Sequence, residues 1–265
     1  FIFEMVPRIL PMEAINVSEA LKKSFLKKGV KLEVNAKVET IEKNSEGITV
    51  VLGNGSKIEA DMALVAVGRS LNVKDIGLES LGIELTKEGL VKVDAKMETS
   101  VPGIYAIGDI ASKWWLAHVA THQGIVAADN ACGKEAFMHY EAVPSVIFTQ
   151  PEIATVGLSL ESAKEKGYQA KYGSFPFQAL GKSQATLHTD GFAQIIDERT
   201  GQILGAQVVG YGASIMIAEM AVAIANELTV ECITETIHAH PTIPEAWLEA
   251  AYLSLDQPLH MPPVK

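Results

Sequence analysis

The strongest candidates for acid-base chemistry are two histidines and a carboxylate near the end of the chain. His238 and His240 flank Ala239, and Glu245 follows five residues after His240. A carboxylate beside a histidine can orient the imidazole and stabilise its protonated form. The pattern alone leaves three alternatives open: a catalytic histidine, a structural histidine, or half of a metal site, for which no third ligand is evident nearby.

A helix is expected to hold this group of residues in place. Pro244 stands where a helix could begin, because proline is well tolerated in the first helical turn. The following apolar residues recur at helical spacing and predict one apolar face. They are Leu248, Ala251, Tyr252 and Leu255.

Two further carboxylates follow strand-like segments. Glu4 comes directly after the apolar run Phe1–Phe3, where a dinucleotide-binding fold places an acid that holds a ribose hydroxyl. Asp109 follows the predicted strand Gly103–Ile107, at the end where open α/β sheets bind ligands. The alternative is that each carboxylate is a solvated strand end without a ligand.

The first part of the chain alternates helical and strand-like patterns, which predicts an α/β arrangement. Asn54-Gly55 supplies the positive φ values of a tight hairpin turn. The predicted elements are a strand at Phe1–Phe3, a helix over 17–28, strands over 30–34 and 38–41, a hairpin over 48–58 and a buried parallel strand at Met62–Val67.

The last part of the chain has the pattern of an α+β domain. Strands Phe192–Asp197 and Ile203–Val209 flank turn residues and predict an antiparallel hairpin. Ser159 is expected to cap a short helix. The helix predicted at Ser214–Glu227 is apolar nearly all round, so we expect it to be buried or to lie between subunits.

Composition excludes several function classes. The 265 residues favour about two domains, and the formal net charge of -10 argues against nucleic acid or an anionic membrane as partner. The most apolar stretch, Ile215 to Ala225, is too short to span a bilayer and is interrupted by Glu219.

We expect a cytoplasmic protein in which Cys132 and Cys232 are buried, reduced thiols. The chain begins with Phe1, which predicts a piece of a longer protein.

Six strings follow one another along the chain. They are Phe3-Glu-Met-Val-Pro-Arg-Ile-Leu-Pro11, Ala66-Val-Gly-Arg69, Tyr105-Ala-Ile-Gly-Asp109, Leu116-Ala-His118, Pro144-Ser-Val-Ile-Phe-Thr-Gln-Pro-Glu152 and His238 to Glu245. In this order they resemble the flavin- and pyridine-nucleotide-dependent disulfide oxidoreductases. The His-Ala-His-Pro-Thr string is more similar to the lipoamide dehydrogenases than to the glutathione reductases.

The resemblance implies a domain organisation. Residues 1–71 would be the C-terminal part of a Rossmann-like NAD-binding domain, and residues 72–141 the C-terminal part of an FAD-binding domain. Residues 142–265 would form an α+β dimerisation domain. The partners implied are a second copy of the chain and a lipoyl-bearing protein of a 2-oxo acid dehydrogenase complex.

The resemblance also implies roles for individual residues. His240 would be the acid-base catalyst and Glu245 its orienting partner. The residues expected to contact NAD are Glu4, Val38 and the backbone at Gly68. Those expected to contact FAD are Asp109, Trp115, Leu116, Ala117 and His118, with His238 near the flavin of the partner subunit. No metal is expected.

The implied activity is oxidation of dihydrolipoamide with FAD and reduction of NAD. The alternatives are a glutathione or mercuric reductase-like activity, or a catalytically inert dimerisation fragment. The family's redox-active C-x-x-x-x-C pair is not present in these 265 residues. We therefore expect the chain by itself to be colourless and inactive. The resemblance further predicts a cis peptide before Pro241.

Overall fold

A computed structural model describes residues 1–262, which divide into two compact units. Within the described residues, one unit contains residues 1–64 and 144–262, and the other contains residues 65–143. The predicted assignment of 1–71, 72–141 and 142–265 to NAD, FAD and dimerisation domains stays a prediction. Among the helices of residues 1–262, none has the length and apolar composition that a bilayer-spanning helix requires.

The N-terminal part of the first unit confirms the α/β prediction. Strands β1 (Ile2–Glu4) and β2 (Leu32–Val34) pair in parallel and are connected through helix α1 (Ile15–Lys27). A three-stranded antiparallel sheet follows, with a turn at Asn54-Gly55. Its strands are β3 (Val38–Lys43), β4 (Ile48–Leu52) and β5 (Lys57–Ala60).

The C-terminal part of this unit is an α+β structure, as predicted. Five antiparallel strands form one sheet in the order β6-β7-β10-β9-β8. The strands are β6 (Pro144–Ile147), β7 (Ile153–Gly157), β8 (Ala170–Pro176), β9 (Phe192–Glu198) and β10 (Ile203–Val209). The predicted hairpin corresponds to β9 and β10, which pair in antiparallel register from Phe192↔Val209 to Asp197↔Ile203.

Five helices accompany this sheet. The Ser159 hydroxyl accepts a hydrogen bond from the Ser162 amide and caps the first of them, as the sequence predicted. They are α3 (Leu160–Glu165), α4 (Gly181–Thr186), α5 (Ala213–Ala225), α6 (Val230–Glu235) and α7 (Glu245–Ser254).

Helix α7 is held by two close contacts. It packs directly on β8, because Gly173 leaves no side chain between that strand and the backbone of Ala250 and Ser254. Trp247 is fully buried and donates its indole N–H to the Met216 carbonyl of α5 at 3.2 Å. The Trp247 indole therefore connects α7 to α5.

The second unit contains little regular structure. Helix α2 spans Ala117–Ala131, and Gly108–Ile110 forms one 3-10 turn. Another such turn lies at Glu79–Leu81. The strand predicted at Gly103–Ile107 is wrong in extent, since only the isolated bridge of Tyr105 to Glu98 forms there.

Two predictions about strands need correction. Met62–Val67 forms no strand, and its members Leu64 and Val67 are almost fully exposed. A central parallel strand needs hydrogen-bonding neighbours, and the described residues pair no strand with this segment. The first strand is β1 at Ile2–Glu4, and Phe1 lies exposed in front of it.

The prediction that both cysteines are buried was also wrong. Cys132 is exposed because it ends α2 at the surface, and Cys232 is half-buried on the short helix α6. Helix α5 is not covered on every side within the chain. Ile215 and Val222 share an exposed face, with 80% and 61% of their surface accessible.

The burial of Trp247 makes a stability prediction. Trp247→Ala should lower the free energy of unfolding by about 3–5 kcal/mol, because it leaves a cavity between α5, α7 and the sheet. Phe148→Ala is the matched control, since Phe148 is 81% exposed, and it should change stability by only about 0.5 kcal/mol. Urea unfolding of both variants measures the difference, and equal losses would contradict the packing described.

Candidate active site

Residues 236–244, which we call the His240 segment, connect α6 to α7 and place the histidine beside a carboxylate. Glu245 is the first residue of α7, where negative charge interacts favourably with the helix N-terminus. Its Oε1 lies 2.8 Å from His240 Nδ1, and its Oε2 accepts the backbone N–H of Thr242 at 2.7 Å. One carboxylate thus holds both the imidazole and the backbone that carries it.

The geometry of this pair fixes the tautomer of the imidazole. A carboxylate only accepts hydrogen bonds, so His240 Nδ1 carries the proton and Nε2 keeps its lone pair. The His240 side chain is 77% exposed, whereas that of Glu245 is 19% exposed. The result is a basic nitrogen presented outward by a largely buried support. The His240–Pro241 peptide is cis, as predicted.

His238 is arranged differently from His240. Only 5% of its side chain is exposed. Its Nε2 lies 3.0 Å from Glu219 Oε1, and its Nδ1 lies 3.0 Å from the Thr236 carbonyl oxygen. The hydrogen bond to Glu219 raises the pKa of His238 above its usual range, and the Thr236 carbonyl adds to this effect.

A third histidine–carboxylate pair lies one helical turn further along α7. Glu249 is buried, and its Oε1 lies 2.6 Å from His260 Nδ1. The hydrogen bond to the Glu249 carboxylate raises the pKa of His260. Residues after α7 are thereby attached to the helix that carries Glu245.

The predicted NAD contacts fall in both compact units. Glu4 ends β1, and its Oε1 accepts the backbone N–H of Val6 at 3.1 Å. This bond fixes a half-buried carboxylate at the carboxyl end of a parallel strand, which suits a ribose diol. Val38 begins β3 in the same unit, and Gly68 lies in the other unit with a φ of +140°.

Apart from His238, the residues predicted to lie at the flavin belong to the second unit. Asp109 Oδ2 forms an ion pair with Arg69 Nη1 at 3.0 Å, and Arg69 Nη2 donates to the Trp115 carbonyl at 3.0 Å. A cavity of about 390 Å³ opens beside them. Its lining consists of Arg69, Ser70, Leu71, Asn72, Asp109, Ile110 and Trp115. Leu116, Ala117 and His118 follow Trp115 at the start of α2.

These residues fit a flavin nucleotide. The Trp115 indole nitrogen is buried and has no hydrogen-bond acceptor among residues 1–262. Gly108 adopts a φ of +77°, which brings bare backbone next to Asp109. The exposed Asp109 carboxylate can accept hydrogen bonds from a polyol, and the Trp115 indole N–H can donate one to it. The N-terminus of α2 is suited to a phosphate.

Sequence reasoning missed two residues that hold Asp109 and the backbone of Gly108 in place. Arg69 was noted only as part of a string, although its guanidinium bonds Asp109 and stacks over Trp115 at 4.8 Å. Gln123 was not among the predicted site residues. It is buried, accepts the Gly108 N–H at 2.7 Å and donates to the Tyr140 hydroxyl at 3.0 Å. No cluster of metal-ligating side chains occurs in the part of the chain that the structure describes.

Two models of one protein family match the chain in succession. The model of the pyridine nucleotide-disulphide oxidoreductases matches residues 1–124, and that of their dimerisation domain matches residues 143–251. The chain belongs to this family. The resemblance deduced from the strings is therefore confirmed, as is the fold class of α/β segments followed by an α+β domain.

Curated relatives that share one name with each other align with all or nearly all of this chain. The dihydrolipoyl dehydrogenase of Chlamydia muridarum is 48% identical over 265 residues, which are 100% of this chain and 57% of that protein. The dihydrolipoyl dehydrogenase of Bacillus subtilis is 40% identical, over 98% of this chain and 56% of that protein. The chain spans a little over half the length of these relatives.

Solved structures resemble this fold closely. The crystal structure of LpdA from Mycobacterium tuberculosis matches with a TM-score of 0.87 and 31% identity, over 94% of this chain and 55% of that one. The HOCl-induced flavoprotein disulfide reductase RclA from Escherichia coli matches with a TM-score of 0.85 over 95% of this chain and 58% of that one. At 23% identity, the second likeness concerns the fold alone.

The fixed tautomer of His240 can be tested on the chain itself. We expect ¹⁵N NMR to show the neutral His240 ring protonated at Nδ1, because the Glu245 carboxylate accepts that proton. Glu245→Ala should remove this preference, and Glu235→Gln, which changes an exposed carboxylate on α6, should leave it intact. A neutral wild-type ring protonated mainly at Nε2 would contradict the arrangement.

Proposed function

We propose that the protein containing this chain is a dihydrolipoamide dehydrogenase, which oxidises dihydrolipoamide to lipoamide and reduces NAD. The observation that carries the proposal is the pairing of His240 with Glu245, which leaves Nε2 as an exposed base. The shared name of relatives at 40% and 48% identity supports this choice of substrate.

His240 is the proton acceptor in this proposal. Oxidation of a dithiol to a disulfide releases two electrons and two protons, and the thiol must lose its proton to become a nucleophile. Nε2 takes that proton, while Glu245 compensates the positive charge that then develops on the ring. A redox-active cysteine pair, which these 265 residues do not contain, is the partner in thiol–disulfide exchange.

The cofactors proposed are FAD and NAD, which together supply the acceptors for the two electrons. FAD would be held by Asp109 and by the residues Trp115, Leu116, Ala117 and His118. NAD would be held by Glu4, Val38 and the Gly68 backbone. His238 would lie near the flavin of the partner subunit, although both of its ring nitrogens already have partners within this chain.

The proposed partner is a second copy of the chain, bound through residues 142–265. The exposed apolar face of α5, with Ile215, Ala218 and Val222, supplies a surface for this contact. The dimerisation-domain match over residues 143–251 supports it. We further propose a lipoyl-bearing protein of a 2-oxo acid dehydrogenase complex as redox partner, and a cytoplasmic location, which the free thiols fit.

Kinetics of the full-length protein test the role of His240. His240→Ala should lower kcat for dihydrolipoamide by about 10²–10⁴-fold, which is the usual contribution of general acid-base catalysis. His139→Ala, which removes an exposed histidine of the other unit, should leave kcat unchanged. Near-normal turnover of His240→Ala at saturating substrate would refute the assignment. Faster turnover with glutathione or mercuric ion would redirect the proposal within the family.

The dimer surface makes a separate prediction. Ile215→Glu should shift the protein from dimer to monomer in analytical ultracentrifugation, because it places a charge in a desolvated contact. Leu26→Glu is the control, since Leu26 is an exposed apolar residue of helix α1. A monomeric wild type, or an Ile215→Glu variant that dimerises as tightly as the control, would overturn the proposed surface.

A further inference from the structure

The protonation of His238 follows from its hydrogen-bond partners. The Thr236 carbonyl and the Glu219 carboxylate face its two ring nitrogens, each at 3.0 Å. Neither oxygen group has a hydrogen to donate, so the ring must donate from both nitrogens to satisfy the two bonds. The arrangement therefore selects the imidazolium form of a nearly buried side chain.

The shared proton belongs on the imidazole. About a third of the Glu219 side chain is exposed, so water solvates its carboxylate. Three groups face His238: Glu219 from α5, the Thr236 carbonyl from its own segment, and Glu245 from α7. The first and last are acidic and the second is an acceptor, and all three favour a positive charge on the ring.

Glu219 also occupies a particular place on α5. It stands four residues after Ile215 and three before Val222, so it belongs to the exposed face of that helix. It is the single charged residue in α5. Its side chain reaches from this face to His238, which lies two residues before His240.

The His240 segment is consequently held on both sides. On one side, His238 binds Glu219 and the Thr236 carbonyl. On the other side, the Thr242 N–H and hydroxyl bind Glu245 and the Ala239 carbonyl, at 2.7 Å and 2.6 Å. Glu219 supplies the bond that connects the first side to α5.

We propose that Glu219 is a positioning residue, which holds His238 as an imidazolium and so fixes the backbone that aims His240 Nε2. The inference rests on the proposed function for its catalytic consequence, but the charge of His238 is independent of it. The ion pair also links the exposed face of α5 to the catalytic segment, which makes the proposed dimer surface part of the site's support.

The first arm of the test is NMR of the 265-residue chain. In a pH titration, the wild-type His238 ring should stay protonated at both nitrogens to a higher pH than the same ring in Glu219→Gln. In that variant the amide can donate to Nε2, so the proton should be lost earlier and the neutral ring should carry its proton on Nδ1, and the His240 ring signals should shift. Glu235→Gln is the matched control and should change neither ring. A His238 ring that loses its proton at the same pH in the wild type and in Glu219→Gln, or His240 signals that ignore Glu219→Gln, would overturn the proposal.

The second arm is the kinetics of the full-length holoenzyme. Glu219→Gln should lower kcat for dihydrolipoamide by between about 10- and 100-fold, as expected for a misaligned catalytic group, with little change in KM. His238→Gln should cause a similar loss, and the double variant should be no worse than either single one, because both remove the same ion pair. Glu235→Gln should keep full kcat. Unchanged kcat in Glu219→Gln, or additive losses in the double variant, would reject the positioning role.

Two further readouts separate this inference from the proposals on which it rests. Sedimentation should show Glu219→Gln as a dimer, and a kcat loss that occurs only with dissociation would overturn the positioning role. If the wild-type holoenzyme does not oxidise dihydrolipoamide, the proposed function fails. The NMR arm then still decides whether Glu219 charges His238 and orients His240.

Discussion

The site depends on one carboxylate that binds two groups at once. Glu245 accepts from His240 Nδ1 through one oxygen and from the Thr242 backbone through the other. An exposed histidine has little packing to restrict its ring, so its orientation must come from hydrogen bonds. Since Glu245 is the first residue of α7, the position of His240 follows the position of that helix.

The remaining structure around α7 keeps this helix in place. Gly173 allows close approach to β8, and Trp247 ties the helix to the Met216 carbonyl of α5. At its other end, Ser254 donates to the buried Asp197 and accepts from Lys171 through its carbonyl oxygen. Burial raises the pKa of Asp197, which indicates a carboxylate with limited solvation.

Local patterns predicted several elements of the first unit, including the helix that carries Glu245. Helical spacing after Pro244 corresponds to α7, the Ser159 cap corresponds to α3, and the hairpin at β9 and β10 formed as expected. Each of these depends on residues near one another in sequence. The strand predicted at Met62–Val67 did not form, because a strand depends on residues distant in sequence. An apolar run becomes a strand only when neighbouring strands form hydrogen bonds with its backbone.

The parts of the site that were not predicted depend on contacts between distant residues. His238 and Glu219 are nineteen residues apart, and Arg69 and Asp109 are forty apart. No periodicity encodes such pairs. One signal was available, because Glu219 is a lone charge in an otherwise apolar helix, and a charge in that setting calls for a partner.

The pH dependence of kcat/KM for dihydrolipoamide in the full-length protein tests the central claim most directly. If His240 Nε2 is the base, activity should rise along an acidic limb as the ring loses its proton. In His240→Gln that limb should be lost, and the remaining slow reaction should rise only at the higher pH at which the dithiol itself ionises. An acidic limb that persists unchanged in His240→Gln would contradict the account.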